Sequence, residues 1–259
     1  MESQTHPQSS ARVALVTGAA RRIGRHIALA LARAGWDVAV HYNRSRDEAD
    51  EVVREIEALG RRALAVRAEL GNEDEVRGLL AQTAPLGRVS CIVNNASLFD
   101  FDDAASFGND RLQLHMAANV GAPVLLAQAL YEATPADSQA VVVNLLDQKL
   151  YNPNPDYLSY TLSKAALHSA TTLLAQALAP RVRVVGVAPG LTMVSGDQTN
   201  EQFGRAHQVT PLGKSSTPDD VAAAVCYVAS AQAVTGTTLL VDGGQHLLPL
   251  SRDVMFVAK

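Results

Sequence analysis

The sequence is poor in the features that mark several protein classes. Only two cysteines occur in 259 residues, Cys91 and Cys226, each inside an apolar run and far from the other. They provide neither metal-ligand spacing nor a disulfide framework. They read as buried thiols, and a reducing cytoplasm is the expected location. There is no basic excess: the net charge is −4 and the pI about 6.0, which argues against a nucleic-acid partner or an anionic membrane surface. No apolar run reaches the roughly 18 residues a membrane helix needs. The opening stretch, MESQTHPQSS, has no basic start and no apolar core. It is expected to be an unstructured tail over residues 1–10, not a secretory signal. Repeats, linkers and low-complexity segments are lacking too, so one domain over 11–250 is expected, a length common for single α/β units. Aromatics make up only 5% of the chain, so a ring placed in a loop draws notice.

What is present is alternation. Apolar, β-branched runs at 12–16, 37–42, 62–67, 89–93, 140–146, 182–187 and 238–241 are separated mostly by helical patterns at 25–34, 43–60, 72–84, 109–131, 157–180 and 218–230. Seven strands with interposed helices predict an α/β fold: a single-domain, doubly wound, Rossmann-type sheet of seven parallel strands with helices on both faces. The segment 191–210 is polar and poorly periodic and reads as a flap over a crevice, its reach extending to about 215. Asp156 precedes a helical pattern and is expected to be its N-cap.

The turn after the first strand is TGAARRIG. Gly18 lets the backbone reverse, Gly24 permits close approach at the helix start, and the helix N-terminus offers unpaired N–H groups to a phosphate. Arg21 and Arg22 inside the turn strengthen that reading. The end of the second strand distinguishes nicotinamide cofactors, because a carboxylate there binds a ribose 2′-hydroxyl and a basic group suits a 2′-phosphate. Asn43, Arg44 and Ser45 occupy that position, with no carboxylate before Asp47, so NADP is the expected cofactor. Asn94-Asn95-Ala96-Ser97 follows the fourth strand, at the edge where ligands bind in parallel sheets, with Phe99 just beyond. Asn119 sits in an otherwise apolar helical stripe and needs partners, either as a satisfied core amide or as the holder of a relay water.

Tyr160 and Lys164 are four residues apart, one turn on one helical face. An ammonium beside a phenol favours the phenolate, so the Tyr160 pKa is expected below its reference of about 10. That makes Tyr160 a proton donor for reduction of a carbonyl or imine. Asp147 lies 13 residues earlier, at the end of the fifth strand.

These marks, in order and spacing, resemble the short-chain dehydrogenase/reductase family over nearly the whole chain: Thr17-Gly18 to Gly24, Asn94-Asn95-Ala96, Asn119, Tyr160 with Lys164, Pro189-Gly190 and Asp242-Gly243-Gly244. The resemblance implies hydride transfer with Tyr160 as proton donor, Lys164 on the nicotinamide ribose and Asn119 supporting a water. It also implies that Ile23, Tyr42, Glu69, Leu70 and Leu191 join the cofactor contacts. In most of the family the position of Asp147 is a serine, and the central glycine of the first turn is here Arg22. Together with His41, Tyr42, Arg44 and Ser45, and with Phe99 after the Asn-Asn-Ala-Ser run, these departures resemble the pteridine reductase branch. That likeness implies a pterin or folate substrate bound by Arg22, Ser97, Phe99, Asp147 and Tyr160, and a homotetramer. Glu69 stands where the family usually has aspartate near the adenine. The rival expectations are a carbonyl reductase for a 3-oxoacyl thioester or sugar ketone, and a non-catalytic NADP-binding sensor. The segment 251–259 has no assignable counterpart.

Overall fold

The apolar runs become strands of one sheet. Along the chain the elements are β1 (Val13–Val16), α1 (Arg22–Arg33), β2 (Asp37–Tyr42), α2 (Arg46–Ala58), β3 (Ala63–Arg67), α3 (Glu73–Arg77), α4 (Leu79–Gln82), β4 (Val89–Asn94), α5 (Asn109–Met116), α6 (Ala122–Ala133), β5 (Ala140–Leu145), α7 (Leu158–Ala177), β6 (Val182–Pro189), α8 (Asn200–Gln208), α9 (Pro218–Ser230) and β7 (Thr238–Val241). This computed structural model describes residues 12–194, 199–208, 210–253 and 256. The expected tail at 1–10 lies outside the described residues.

The strand order is β3-β2-β1-β4-β5-β6-β7, and every pairing is parallel. The expected doubly wound sheet is therefore the one that forms. Its central strands are buried on both faces, which is why they read as continuous apolar runs and not as alternating ones. Helices α1, α2 and α9 cover one face through Ile27, Leu31, Val52, Ile56, Val221 and Val225. Helices α3, α4, α6 and α7 cover the other through Val76, Leu79, Leu126, Leu130 and Ala175. Each fully buried aliphatic side chain contributes roughly 1.5–3 kcal/mol. The connections reverse direction between β1 and β4, opening a crevice at the carboxyl ends of these strands.

The helices differ from expectation in places. The pattern at 72–84 forms two short helices divided at Gly78, a poor helix former. The first is capped by the Asn72 side chain, which accepts from the N–H groups of Asp74 and Glu75. The stretch 109–131 is interrupted by one π-helical turn, Ala117–Gly121, before α6 continues. The expected flap is not irregular throughout, because it contains α8, supported by a Glu201–Arg205 pair one turn apart. Residues 195–198 and 209 of it lie outside the description.

Asp156 does not cap α7. The N-cap is Tyr157, with left-handed backbone at φ 55° and no side-chain cap bond. The capping is done by Asp102, 57 positions earlier, whose Oδ1 accepts from Ser159 N at 2.9 Å and whose Oδ2 accepts from the Ser159 hydroxyl.

Candidate active site

The glycine turn is built by close approach. A Cβ on Gly24 would lie 2.2 Å from the Gly18 carbonyl oxygen, so α1 can meet β1 only if residue 24 is glycine. Gly18 has φ +62°, a conformation glycine adopts at no steric cost. Two struts hold the turn. Asn95 Nδ2 donates to the carbonyls of Thr17 (2.8 Å) and Gly18 (3.2 Å), while Thr17 Oγ1 accepts from Asn95 N and Ala96 N. His41, fully buried, accepts from Gly18 N through Nδ1 at 3.0 Å and meets the Ala68 carbonyl through Nε2 at 3.1 Å. That pattern requires the neutral Nε2–H tautomer, and burial depresses the His41 pKa to about 4. Arg22 follows the turn at φ +52°, uncommon for a residue other than glycine, and its Nη1 donates to the Val194 carbonyl at 2.9 Å. Arg21 points outward and pairs with Glu48.

The sheet and α7 bring the reactive pair together. β5 ends just before Asp147, and α7 carries Tyr160 and Lys164. The Tyr160 hydroxyl donates to Asp147 Oδ2 at 2.7 Å, and Asp147 Oδ1 accepts from Lys149 N at 2.8 Å. Lys164 is buried, and its Nζ donates to the Leu145 carbonyl at 2.7 Å. The phenol therefore faces a carboxylate more closely than it faces the ammonium, which lies 5.7 Å from the ring centroid. Burial and the Asp147 charge push the Tyr160 pKa well above 10, contrary to the fall expected from the Tyr-Lys spacing. Burial is the larger cause, and the Asp147 carboxylate adds to it. Burial also raises the Asp147 pKa, against the pull of the Lys149 N–H and the Tyr160 hydroxyl. Burial brings Lys164 down to about 8. The pair thus binds protons more tightly than free side chains do.

Asn119 stands behind this pair, in the π-helical turn. Its Oδ1 accepts from Leu98 N (2.8 Å), and its Nδ2 donates to the Leu98 carbonyl (3.0 Å) and to Ser163 Oγ (3.0 Å). Both amide hydrogens are thus taken up by protein, and the side chain pins the loop before Phe99 to α7. Phe99 remains 41% exposed. It stacks on Tyr157 at 4.2 Å and meets the Tyr160 ring edge-on at 4.7 Å.

A cavity of about 420 Å³ joins these parts. Of the residues expected from sequence, Arg22, Ile23, Asn95, Ser97, Phe99, Asp147, Tyr160, Lys164, Pro189, Gly190 and Leu191 line it. Tyr42, Asn43, Arg44, Ser45, Glu69 and Leu70 are not among its walls. They gather at the carboxyl ends of β2 and β3, where Asn43 donates to Glu69 and the Tyr42 hydroxyl accepts from Arg46. The sequence reading missed Lys149, Thr192, Gln245 and Asp253, which also line the cavity. Gln245 holds the wall by accepting from Leu191 N at 2.9 Å, and the turn that carries it is fixed by Asp242, which accepts from Gly244 N and His246 N.

The arrangement fits a dinucleotide phosphate. α1 has no acidic residue in its first turn and no side-chain cap, which leaves its N–H groups and positive dipole end to a phosphate. Arg44 is exposed where a 2′-phosphate would lie.

Comparison with known proteins agrees. A family model described as enoyl-(acyl carrier protein) reductase matches residues 18–246. A 3-oxoacyl-[acyl-carrier-protein] reductase of Synechocystis is 34% identical over 241 residues, covering 91% of this chain and 97% of that protein. Among solved structures, the FolM alternative dihydrofolate reductase 1 of Brucella canis, complexed with NADP, superposes with TM-score 0.86 at 40% identity, over 92% of this chain and 95% of that one. The Brucella suis protein of the same name, also with NADP, gives 0.86 at 39% identity, over 94% and 98%. With its parallel sheet, glycine turn and Tyr160–Lys164 pair now in place, the chain belongs to the short-chain dehydrogenase/reductase family, and its cofactor is NADP.

Proposed function

We propose that this reductase acts on the C=N bond of a dihydropterin or dihydrofolate-type substrate. The observation that carries the reading is the Asp147 carboxyl 2.7 Å from the Tyr160 hydroxyl inside the cavity, at a position that is a serine in most of the family. Reduction of C=N places a hydride on carbon and a proton on nitrogen, and bound NADPH supplies the hydride. Tyr160 delivers the proton to nitrogen. Asp147 holds the phenol in place and grips the N–H edge of the ring. Lys164 and Asn119 position α7, and Phe99 presents a ring face at the cavity rim on which a flat heterocycle can stack. The likeness to two proteins named alternative dihydrofolate reductases supports the same substrate class.

Ketone reduction is the competing reading, favoured by the 3-oxoacyl reductase relative. A carboxylate beside the proton donor counts against it, because it repels a developing oxyanion. A sensor has no use for a buried proton pair. Purified protein is mixed with NADPH and either dihydrobiopterin or an acetoacetyl thioester, and loss of NADPH absorbance is followed. Turnover of the pterin alone, abolished or slowed at least about tenfold in Asp147→Ser, supports the reading. Preference for the thioester overturns it, and turnover of neither points to the sensor.

The proposal includes a cytoplasmic homotetramer. Leu114 on α5 and Leu162 and Leu173 on α7 are 45–64% exposed, as expected if these helices meet other copies. No helix among the described residues is long and apolar enough to cross a membrane. Sedimentation at micromolar concentration tests the assembly.

A further inference from the structure

The cavity wall holds an amide whose hydrogen-bonding capacity is half used. Gln245 is 4% exposed and stands on the tight helical turn Gln245–Leu247. Its Oε1 accepts from Leu191 N at 2.9 Å and from Ser215 Oγ at 3.3 Å. The backbone donor identifies that atom as the oxygen, so the other end of the amide is the NH2 group. The oxygen is also pressed against Gly190, where a Cβ would lie 2.7 Å from it. No described residue accepts from Nε2. Nor is Nε2 among the polar atoms sealed in the interior without a partner. Its open side is the cavity, which Gln245 lines.

Several other donors on the wall are engaged with protein. The Tyr160 hydroxyl donates to Asp147, Lys149 and Lys164 donate to backbone carbonyls, and Asn95 holds the glycine turn. Gln148 makes the matching case on the acceptor side. It lines the same cavity, on the turn Gln148–Leu150, which packs against the turn that carries Gln245. Its Oε1 is buried and has no partner. Such an acceptor is costly to leave unpaired. The terminal amide torsion is soft, so a small rotation offers it to a guest. A donor and an acceptor on adjoining turns match a lactam, in which C=O and N–H stand side by side.

We propose that Gln245 is a specificity-determining residue: its Nε2 donates to the ring carbonyl of a lactam-bearing heterocycle, and Gln148 accepts the neighbouring ring N–H. This rests on the pterin reading and names the edge of that substrate which the two amides hold. The simpler role for Gln245 is a strut for Leu191. Glutamate serves that role equally, since a carboxylate keeps the accepting oxygen and lacks only the donor.

The experiment measures calorimetric binding of two compounds to the full chain loaded with oxidised NADP, so that no hydride moves. One is 6-methyl-7,8-dihydropterin, which has the lactam. The other is 2,4-diamino-6-methyl-7,8-dihydropteridine, in which an amino group replaces the ring carbonyl and the neighbouring ring nitrogen carries no hydrogen. The readout is the ratio of the two Kd values, which a general loss of folded protein leaves unchanged. Gln245→Glu is expected to shift that ratio at least about tenfold toward the diamino compound, because the carboxylate repels the carbonyl and accepts from the amino group. Gln148→Met leaves the Leu191 strut untouched and should shift the ratio the same way, about threefold. An unchanged ratio in Gln245→Glu, or in Gln148→Met should the first variant not fold, overturns the proposal and leaves the pterin reading intact. Wild-type protein that binds neither compound removes that reading and this proposal with it.

Discussion

The His41 strut makes a quantitative prediction that links pH, stability and cofactor binding. The ring must accept from Gly18 N, which it can do only while Nδ1 is unprotonated. Burial lowers its pKa from 6.5 to about 4. Above pH 6.5 both folded and unfolded chains carry a neutral ring, and the residue adds no pH dependence. As pH falls from 6.5 toward 4, the unfolded chain takes up a proton that the folded one resists, so stability is lost through that window. The cost is at most about 1.4 kcal/mol per pH unit, or about 2 kcal/mol between pH 7 and pH 5. Urea unfolding of wild type and His41→Asn at both pH values isolates this contribution, because the other acids titrate equally in the two proteins. The variant should be less stable at pH 7 by about 1–3 kcal/mol, having lost the Ala68 contact, yet should lose about 2 kcal/mol less on acidification. NADPH affinity, followed by fluorescence, should hold through most of that interval and weaken only as pH approaches 4, where the folded ring takes up its proton and can no longer accept from the glycine turn. Identical pH dependence in the two proteins would refute the argument.

Tyr160→Phe should lower kcat by a factor of about 10² to 10⁴, the worth of a positioned general acid, while NADPH binding stays near wild type; stopped-flow hydride transfer checks this. Gly24→Ala should abolish NADPH binding or cost roughly 1–3 kcal/mol of stability, because the added methyl meets the Gly18 carbonyl at 2.2 Å; thermal unfolding with and without cofactor separates the two. Lys164 has a pKa lowered to about 8, so its ammonium, and its donation to Leu145, should fade as pH rises through that value. KM for NADPH should rise there in wild type and stay flat in Lys164→Arg, whose charge persists.

Most of the sheet could be read from the chain, because strands buried on both faces leave unbroken apolar runs and the glycine turn leaves a spacing. Tyr160, Lys164 and Asp147 were legible for a similar reason, since strand ends and one helical turn fix where they stand. The errors came from long-range contacts, which leave no periodic trace. Asp156 has the right chemistry for a cap, yet Arg252 claims it and Asp102 takes over its task from 57 positions away. The direction of the Tyr160 pKa is not legible from the Tyr-Lys spacing, because burial, the larger cause, and the Asp147 carboxylate act through the fold. Lys149 and Asp253, separated by 104 positions, could not have been paired from spacing at all.

The Asp102 contact has a mechanical consequence. The same short loop carries Phe99, which faces the cavity, and Asp102, which anchors the first turn of α7, where the acid resides. Pushing the benzyl ring aside to admit a bulkier guest must therefore tug on the phenol. Size tolerance and turnover rate in this enzyme should consequently be tuned together, and a mutation that widens the mouth will rarely leave the chemistry untouched.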